Sequence, residues 1–142
     1  MFENRVYEGV EEQLDRLKKM GLRLVVATSK PEEFAVKILD HFGLLGYFDQ
    51  VTGATFDGRL SQKTDVVAEA LRRGAIDGRS AIMVGDRHHD IEGGRENGLR
   101  TLGVTYGFGD WAELEAAGAD FIVPSARELG DLLSKLSETE GE

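Results

Sequence analysis

Cysteine is absent from the 142 residues, which excludes disulfides, thiolate nucleophiles and zinc–thiolate sites and fits a reducing compartment such as the cytoplasm. Proline occurs only twice. No apolar run approaches the roughly 18 residues that a membrane-spanning helix needs. The opening MFENRVYEGVEE has neither the basic nor the apolar region of a secretory signal, so a soluble, cytoplasmic protein is expected. Positive charge is also short, with 17 Lys and Arg against 26 Asp and Glu and a net charge of −9. The acidic residues are spread along the chain, which argues against nucleic acid or an anionic membrane as partner. What the chain does have is length for one domain, burying about 70% of the unfolded surface. It also has 18 glycines, nearly twice the usual ~7% share, which points to many tight turns between strands and helices. The expectation is a single domain over 1–142, with the polar residues 137–142 (SETEGE) as a disordered tail.

Apolar periodicity alternates between two kinds of segment, the pattern of alternating β and α elements with parallel strands. Val10, Leu14, Leu17 and Met20 recur at helical spacing and Gly21 closes the helix. Leu22 to Ala27 (LRLVVA) reads as a buried strand. Pro31 suits a first helical turn, after which Phe34, Ala35, Ile38, Leu39 and Phe42 share a face and Gly43 stops the helix. Further strands are expected at Gln50 to Gly53, Ala81 to Val84, Thr101 to Val104 and Phe121 to Val123. Helices fit at 63–73, 88–98, 110–117 and 125–136. The fold class predicted is α/β: a doubly wound, Rossmann-like parallel sheet of about five strands with helices on both faces. Ligands of such sheets sit beyond the carboxyl ends of the strands, so chemistry is sought there.

Three strand ends carry candidates. Thr28 and Ser29, at the end of the first strand and before a helix, suit an anion through hydroxyls and unpaired backbone N–H groups; a plain helix cap is the alternative. Lys63 opens a helix, where the dipole disfavours a cation by roughly 0.3–1 kcal/mol. It needs an anion nearby, or is a solvated lysine beside Asp65. The sharpest is Ala81-Ile82-Met83-Val84-Gly85-Asp86, where a strand delivers Asp86 and Asp90 follows one helical turn later. Two such carboxylates suit Mg²⁺, which keeps several waters and takes one or two protein carboxylates; a helix cap plus a solvated acid is the alternative. His88 and His89 are adjacent and cannot both face one metal from a helix. Gly93-Gly94 would let their helix lie close to the sheet, and Gly98 suits a left-handed C-terminal turn. Tyr106-Gly107-Phe108-Gly109 either borders the site or is an ordinary loop.

Taken in order, VVATSK, then Lys63 in LSQKTDVV, then MVGDRHHDIEGGRENGL resemble motifs II, III and IV of the haloacid dehalogenase superfamily of phosphatases. The likeness runs from Tyr7-Glu8-Gly9-Val10 to about Leu129, including HFGLLGYFD, VTYGFGD and AGADFIV, and is nearest to the phosphoglycolate phosphatase-like branch. The resemblance implies a Mg²⁺-dependent phosphate-monoester hydrolase working through an aspartyl-phosphate on a small phosphorylated metabolite. It implies phosphoryl binding by Thr28 and Ser29, charge neutralisation by Lys63, and metal binding by Asp86 and Asp90. Thr28, Lys63 and Asp86 are then the catalytic set.

One departure is large. Family members begin with a strand ending in Asp-x-Asp, which supplies the nucleophile, and no Asp-x-Asp occurs in this chain. The segment Thr55-Phe56-Asp57-Gly58-Arg59-Leu60 imitates its end but reads as a turn. The family's first strand, which lies between the strands of motifs II and IV, and the cap that reads substrate are therefore expected to be missing. The chain alone is expected to be inactive, needing a complementing N-terminal segment or a homo-oligomer that repairs the sheet. The alternatives are a catalytically silent phosphate-, metal- or partner-binding module, and, more distantly, a receiver-like signalling domain.

Overall fold

A computed structural model describes residues 9–55, 62–106 and 109–140. Strand and helix alternate as the sequence pattern demands. Helix α1 (Val10–Lys19) leads into β1 (Val25–Pro31), α2 (Glu32–His41), β2 (Gln50–Ala54), α3 (Lys63–Gly74), β3 (Ile82–Gly85), α4 (His88–Glu96), β4 (Arg100–Val104), α5 (Trp111–Ala117), β5 (Phe121–Val123) and α6 (Ala126–Glu140). Gly21, Gly43 and Gly98 all take positive φ, at 86°, 71° and 79°, and end α1, α2 and α4. That left-handed geometry is cheap only for a residue without Cβ.

All five strands are parallel. They do not form the single sheet expected. The ladder splits into β1–β2 and β3–β4–β5, and no pairing joins β1 to β3 among the described residues. In β4, which has a partner on each side, Leu102 is 0% exposed and Val104 5%. Val25, Val26 and Ala27 of β1 and all of Ile82–Gly85 of β3, each paired on one side only, stay half-buried despite their apolar character. Direct closure of β1 on β3 is therefore not how the sheet is completed here. The Asn4-Arg5-Val6-Tyr7 stretch, the other intrachain repair, lies outside the described residues.

Three further boundaries differ from expectation. The first strand begins at Val25 and runs on to Pro31 rather than ending at Ala27, because a bulge between Ala27 and Pro31 lets pairing resume at Ala54. Pro31 thus ends the strand, and the helix begins at Glu32. At the other end, α6 stays helical to Glu140, past Ser137 where a disordered tail was expected.

Helices cover both sides of the parallel sheets. Helices α2 and α3 pack on β1 and β2, α4 on β3 and β4, and α5 and α6 on β5, with α1 against α6. The core around Leu102, Val104 and Val123 takes in Ile82, Val84, Phe121 and Leu129. Gly94 carries α4 onto the sheet: a Cβ there would lie 2.6 Å from Met83 Cβ and 2.9 Å from Thr101 Cγ2. Gly94→Val is expected to cost about 1–3 kcal/mol in a urea unfolding measurement. Gly46→Ala, with nothing within 4 Å of the added carbon, is expected to stay within about 0.5 kcal/mol.

Candidate active site

The carboxyl ends of β1 and β3 and the first turns of α3 and α4 meet at one place, and Lys63 ties them together. Lys63 is the first residue of α3. Its Nζ donates to the Ala27 carbonyl at 3.0 Å and pairs with Asp90 Oδ1 at 2.7 Å. The two side chains are only 9% and 8% exposed. The solvated lysine beside Asp65 is thereby ruled out, and the anion needed to offset the helix dipole at this position is Asp90.

Asp90 also organises the turn before it. Its Oδ2 accepts the N–H groups of Asp86 at 3.1 Å and Arg87 at 3.2 Å. Arg87 is the N-cap of α4, so neither Asp86 nor a hydroxyl caps that helix; Asp90, at the third helical position, reaches back to accept the N–H of that N-cap residue. Asp86 stands half-buried just beyond β3. Gly109 crosses above it, with a Cβ there falling 2.0 Å from the Asp86 carbonyl oxygen. The loop after β4 therefore does border the site, at its described residues Tyr106 and Gly109. Burial, and secondarily the Asp86 charge, push the Tyr106 hydroxyl up to about 12. A folded-state value above the unfolded ~10 means that the folded chain holds the extra proton at high pH. Stability is then complete below pH ~10 and falls as pH rises toward ~12, by an order of 2–3 kcal/mol. Alkaline denaturation monitored by circular dichroism is expected to show this fall, and Tyr106→Phe to flatten it.

Thr28 and Ser29 do not cap α2, whose N-cap is Pro31 with no side-chain cap. Thr28 Oγ1 accepts the Lys30 N–H at 3.2 Å, folding the strand end into a tight turn. Ser29 is exposed on the continuation of the strand. The structure therefore gathers Lys63, the Ala27–Thr28 end of β1, Asp86 and Asp90, and leaves Ser29 at the rim. The segment 56–61, which holds most of the expected turn, lies outside the described residues.

Sequence reasoning missed Glu113. From the first turn of α5, its Oε2 accepts Arg87 Nε at 2.9 Å and the His88 N–H at 2.8 Å, latching α5 to the turn that carries Asp86. The Arg87 guanidinium, then the His88 N–H, hold the Glu113 carboxyl below its usual range. A signal was available: Asp110 caps α5 through the Glu113 N–H at 2.8 Å, and the Asp-x-x-Glu spacing marks a helix start with its acid in the first turn.

Among the described residues, no group of three His, Cys, Asp or Glu could hold a metal ion. Asp90 already meets an ammonium and two N–H groups. The described residues do not by themselves fit a complete Mg²⁺ site.

Residues 3–104 match the model of the haloacid dehalogenase-like hydrolase family. A 5'-nucleotidase of Pseudomonas aeruginosa is 39% identical over 116 residues, covering 82% of this chain and 52% of its own length. A phosphoglycolate phosphatase of Agrobacterium fabrum is 38% identical over 109 residues, 76% of this chain and 46% of its length. A relative named tyrosine-protein kinase PtkA from Mycobacterium tuberculosis is 41% identical over 106 residues, 75% of this chain and 36% of its length. The crystal structure of a predicted phosphatase from Clostridium acetobutylicum superimposes with a TM-score of 0.89 at 47% identity, over 91% of this chain and 60% of that one. The chain belongs to the haloacid dehalogenase-like hydrolase family, as its three ordered motifs implied. It spans about half the length of the nucleotidase and phosphatase relatives, and less of the third.

Proposed function

We propose that this chain supplies the phosphoryl-binding and charge-neutralising part of a Mg²⁺-dependent phosphate-monoester hydrolase acting on small phosphorylated metabolites. The observation that carries the reading is the Lys63 ammonium, held almost out of water between the end of β1 and Asp90. A desolvated cation at converging strand ends is what a phosphoryl group developing charge requires. In this reading a carboxylate displaces the alcohol from phosphorus and water then hydrolyses the aspartyl-phosphate. Thr28 and Ser29 receive the phosphoryl oxygens and Lys63 offsets their charge. The attacking carboxylate comes from an Asp-x-Asp strand that these 142 residues do not contain, and the chain alone is inactive. Relatives named nucleotidase, phosphatase and kinase have phosphoryl transfer in common; hydrolysis is preferred because two of those three names describe it.

Inorganic phosphate titrated into ¹⁵N-labelled chain tests the binding half. Shifts are expected to cluster at 27–30 and 63–64. Lys63→Ala, measured where the variant remains folded, should weaken binding by about 1–3 kcal/mol through loss of a charge-assisted bond. Thr28→Val, which leaves the Lys63–Asp90 pair intact, should weaken it less. Affinity unchanged in both variants would refute the pocket.

A further inference from the structure

The first turn of α3 is fastened to α4 by groups from the far end of α4. Asn97, the C-cap of that helix, is half-buried and commits both hydrogens of its side-chain amide to backbone. Its Nδ2 donates to the Gly93 carbonyl at 2.8 Å and to the Thr64 carbonyl at 2.9 Å. Beside it, Thr64 Oγ1 donates to Glu96 Oε2 at 2.6 Å. Gly93 lets the two helices come together: a Cβ there would fall 2.8 Å from Lys63 Cγ and 3.2 Å from both the Lys63 carbonyl carbon and the Thr64 nitrogen. Gly93 and Asn97, four positions apart, share one face of α4, and the start of α3 is seated on that face.

Closing α4 would need only the Gly93 bond, which is local to that helix. The Thr64 bond crosses to the residue after Lys63, and it is the part that a helix cap does not explain. Serving two carbonyl oxygens at once takes a short side chain with two N–H donors on one nitrogen; Asp has the shape and no donor. The Lys63 ammonium, in turn, reaches the Ala27 carbonyl at 3.0 Å from the main chain that this seat fixes.

We propose that Asn97 is a positioning residue for Lys63: its amide sets where the first turn of α3 stands on α4, and thereby where the ammonium meets the end of β1. The consequence for phosphate binding rests on the phosphatase reading; the placement of the ammonium does not.

Asn97→Asp keeps the shape, removes both donors and turns a carboxylate toward two carbonyl oxygens. Asn97→Leu removes the donors without adding charge. Asp120→Ala serves as the control for lost stability alone, because Asp120 Oδ2 accepts the Thr101 N–H at 2.8 Å near the amino end of β4, away from the strand ends that meet Lys63. Two readouts are taken on the full chain: the ¹³C shift of the Ala27 carbonyl, and the affinity for inorganic phosphate from amide shifts at 27–30 and 63–64. Both Asn97 variants are expected to move the Ala27 carbonyl upfield, as the bond from the ammonium lengthens. They are also expected to weaken phosphate binding by about three- to tenfold, the scale of one hydrogen bond. Asp120→Ala is expected to lower the urea midpoint and leave both readouts where they are. The proposal is overturned if a folded Asn97 variant leaves the Ala27 carbonyl unmoved, or if Asp120→Ala moves it as far. Loss of the fold in both Asn97 variants would make Asn97 a structural group and overturn it as well. Failure of the phosphatase reading would show separately, as absence of phosphate shifts in the parent chain while the Ala27 carbonyl still responds to Asn97.

Discussion

Lys63→Met is expected to destabilise the chain by about 3–5 kcal/mol, the cost of removing one partner from a buried ion pair and leaving the other charge unpaired. The size follows from burial, not from the distance alone. Arg79–Asp77 is almost as close, at 3.0 Å, but its side chains are 89% and 54% exposed. Breaking that pair should cost under ~1 kcal/mol because water replaces the contact. For Lys63 and Asp90, at 9% and 8% exposure, the abandoned carboxylate keeps two N–H donors but loses its counter-charge. Methionine fills much of the space of the lysine stem, so lost packing contributes little and lost charge most of the effect. Lys63→Met combined with Asp90→Asn should therefore cost clearly less than the sum of the two single changes. Urea unfolding of the four proteins completes the cycle. Additive losses would mean that the pair is not coupled in solution.

How much of this was legible in the residues can be argued from the same site. Strand and helix positions followed from the residue pattern, because β4 is a continuous, almost wholly buried run, α4 buries one face and Gly98 marks where α4 ends. The approach of Lys63 to Asp90 was not legible. It depends on how two helices 27 positions apart are laid against each other, and a 3.6-residue period carries no information on that. Sequence could show only that a lysine opening a helix needed an anion, and on that feature alone it favoured a solvated lysine beside Asp65. The split ladder was legible only in part. The missing Asp-x-Asp predicted two open edges beside β1 and β3, yet whether those strands would close on each other depends on packing. Helix α3 settles it: it contacts β1, β2 and α4 together, and Lys63 spans from Ala27 to Asp90. Bringing β1 onto β3 at the ~4.8 Å spacing of paired strands would collapse the ground that this lysine bridges. Glu113 reaches Arg87 and His88 from 25 and more positions away, through a helix contact that local residue spacing does not encode.

The chain alone is expected to hydrolyse 4-nitrophenyl phosphate no faster than buffer with Mg²⁺. Adding a segment whose apolar strand ends in Asp-x-Asp should raise the rate by at least roughly 10⁴-fold, on the scale of restoring a missing nucleophile. The structural ground is the pair of half-buried apolar edges, Val25–Ala27 and Ile82–Val84, which no pairing joins among the described residues. A strand lying between them in the same direction as its neighbours would bring its last residues beside Lys63, Thr28 and Asp86, in reach of a bound phosphoryl group. Three measurements separate this from a silent binding module. Hydrogen exchange should slow at both edges when the segment binds, since open N–H groups become bonded. Changing the first Asp of the segment to Asn should abolish turnover while leaving that protection in place. Sedimentation of the chain alone should show whether a second copy fills the same edges. Protection without turnover from the Asp-x-Asp segment would leave the silent module standing. Turnover by the unaided, monomeric chain would mean that a nucleophile exists among these 142 residues and that the open edges serve something other than catalysis.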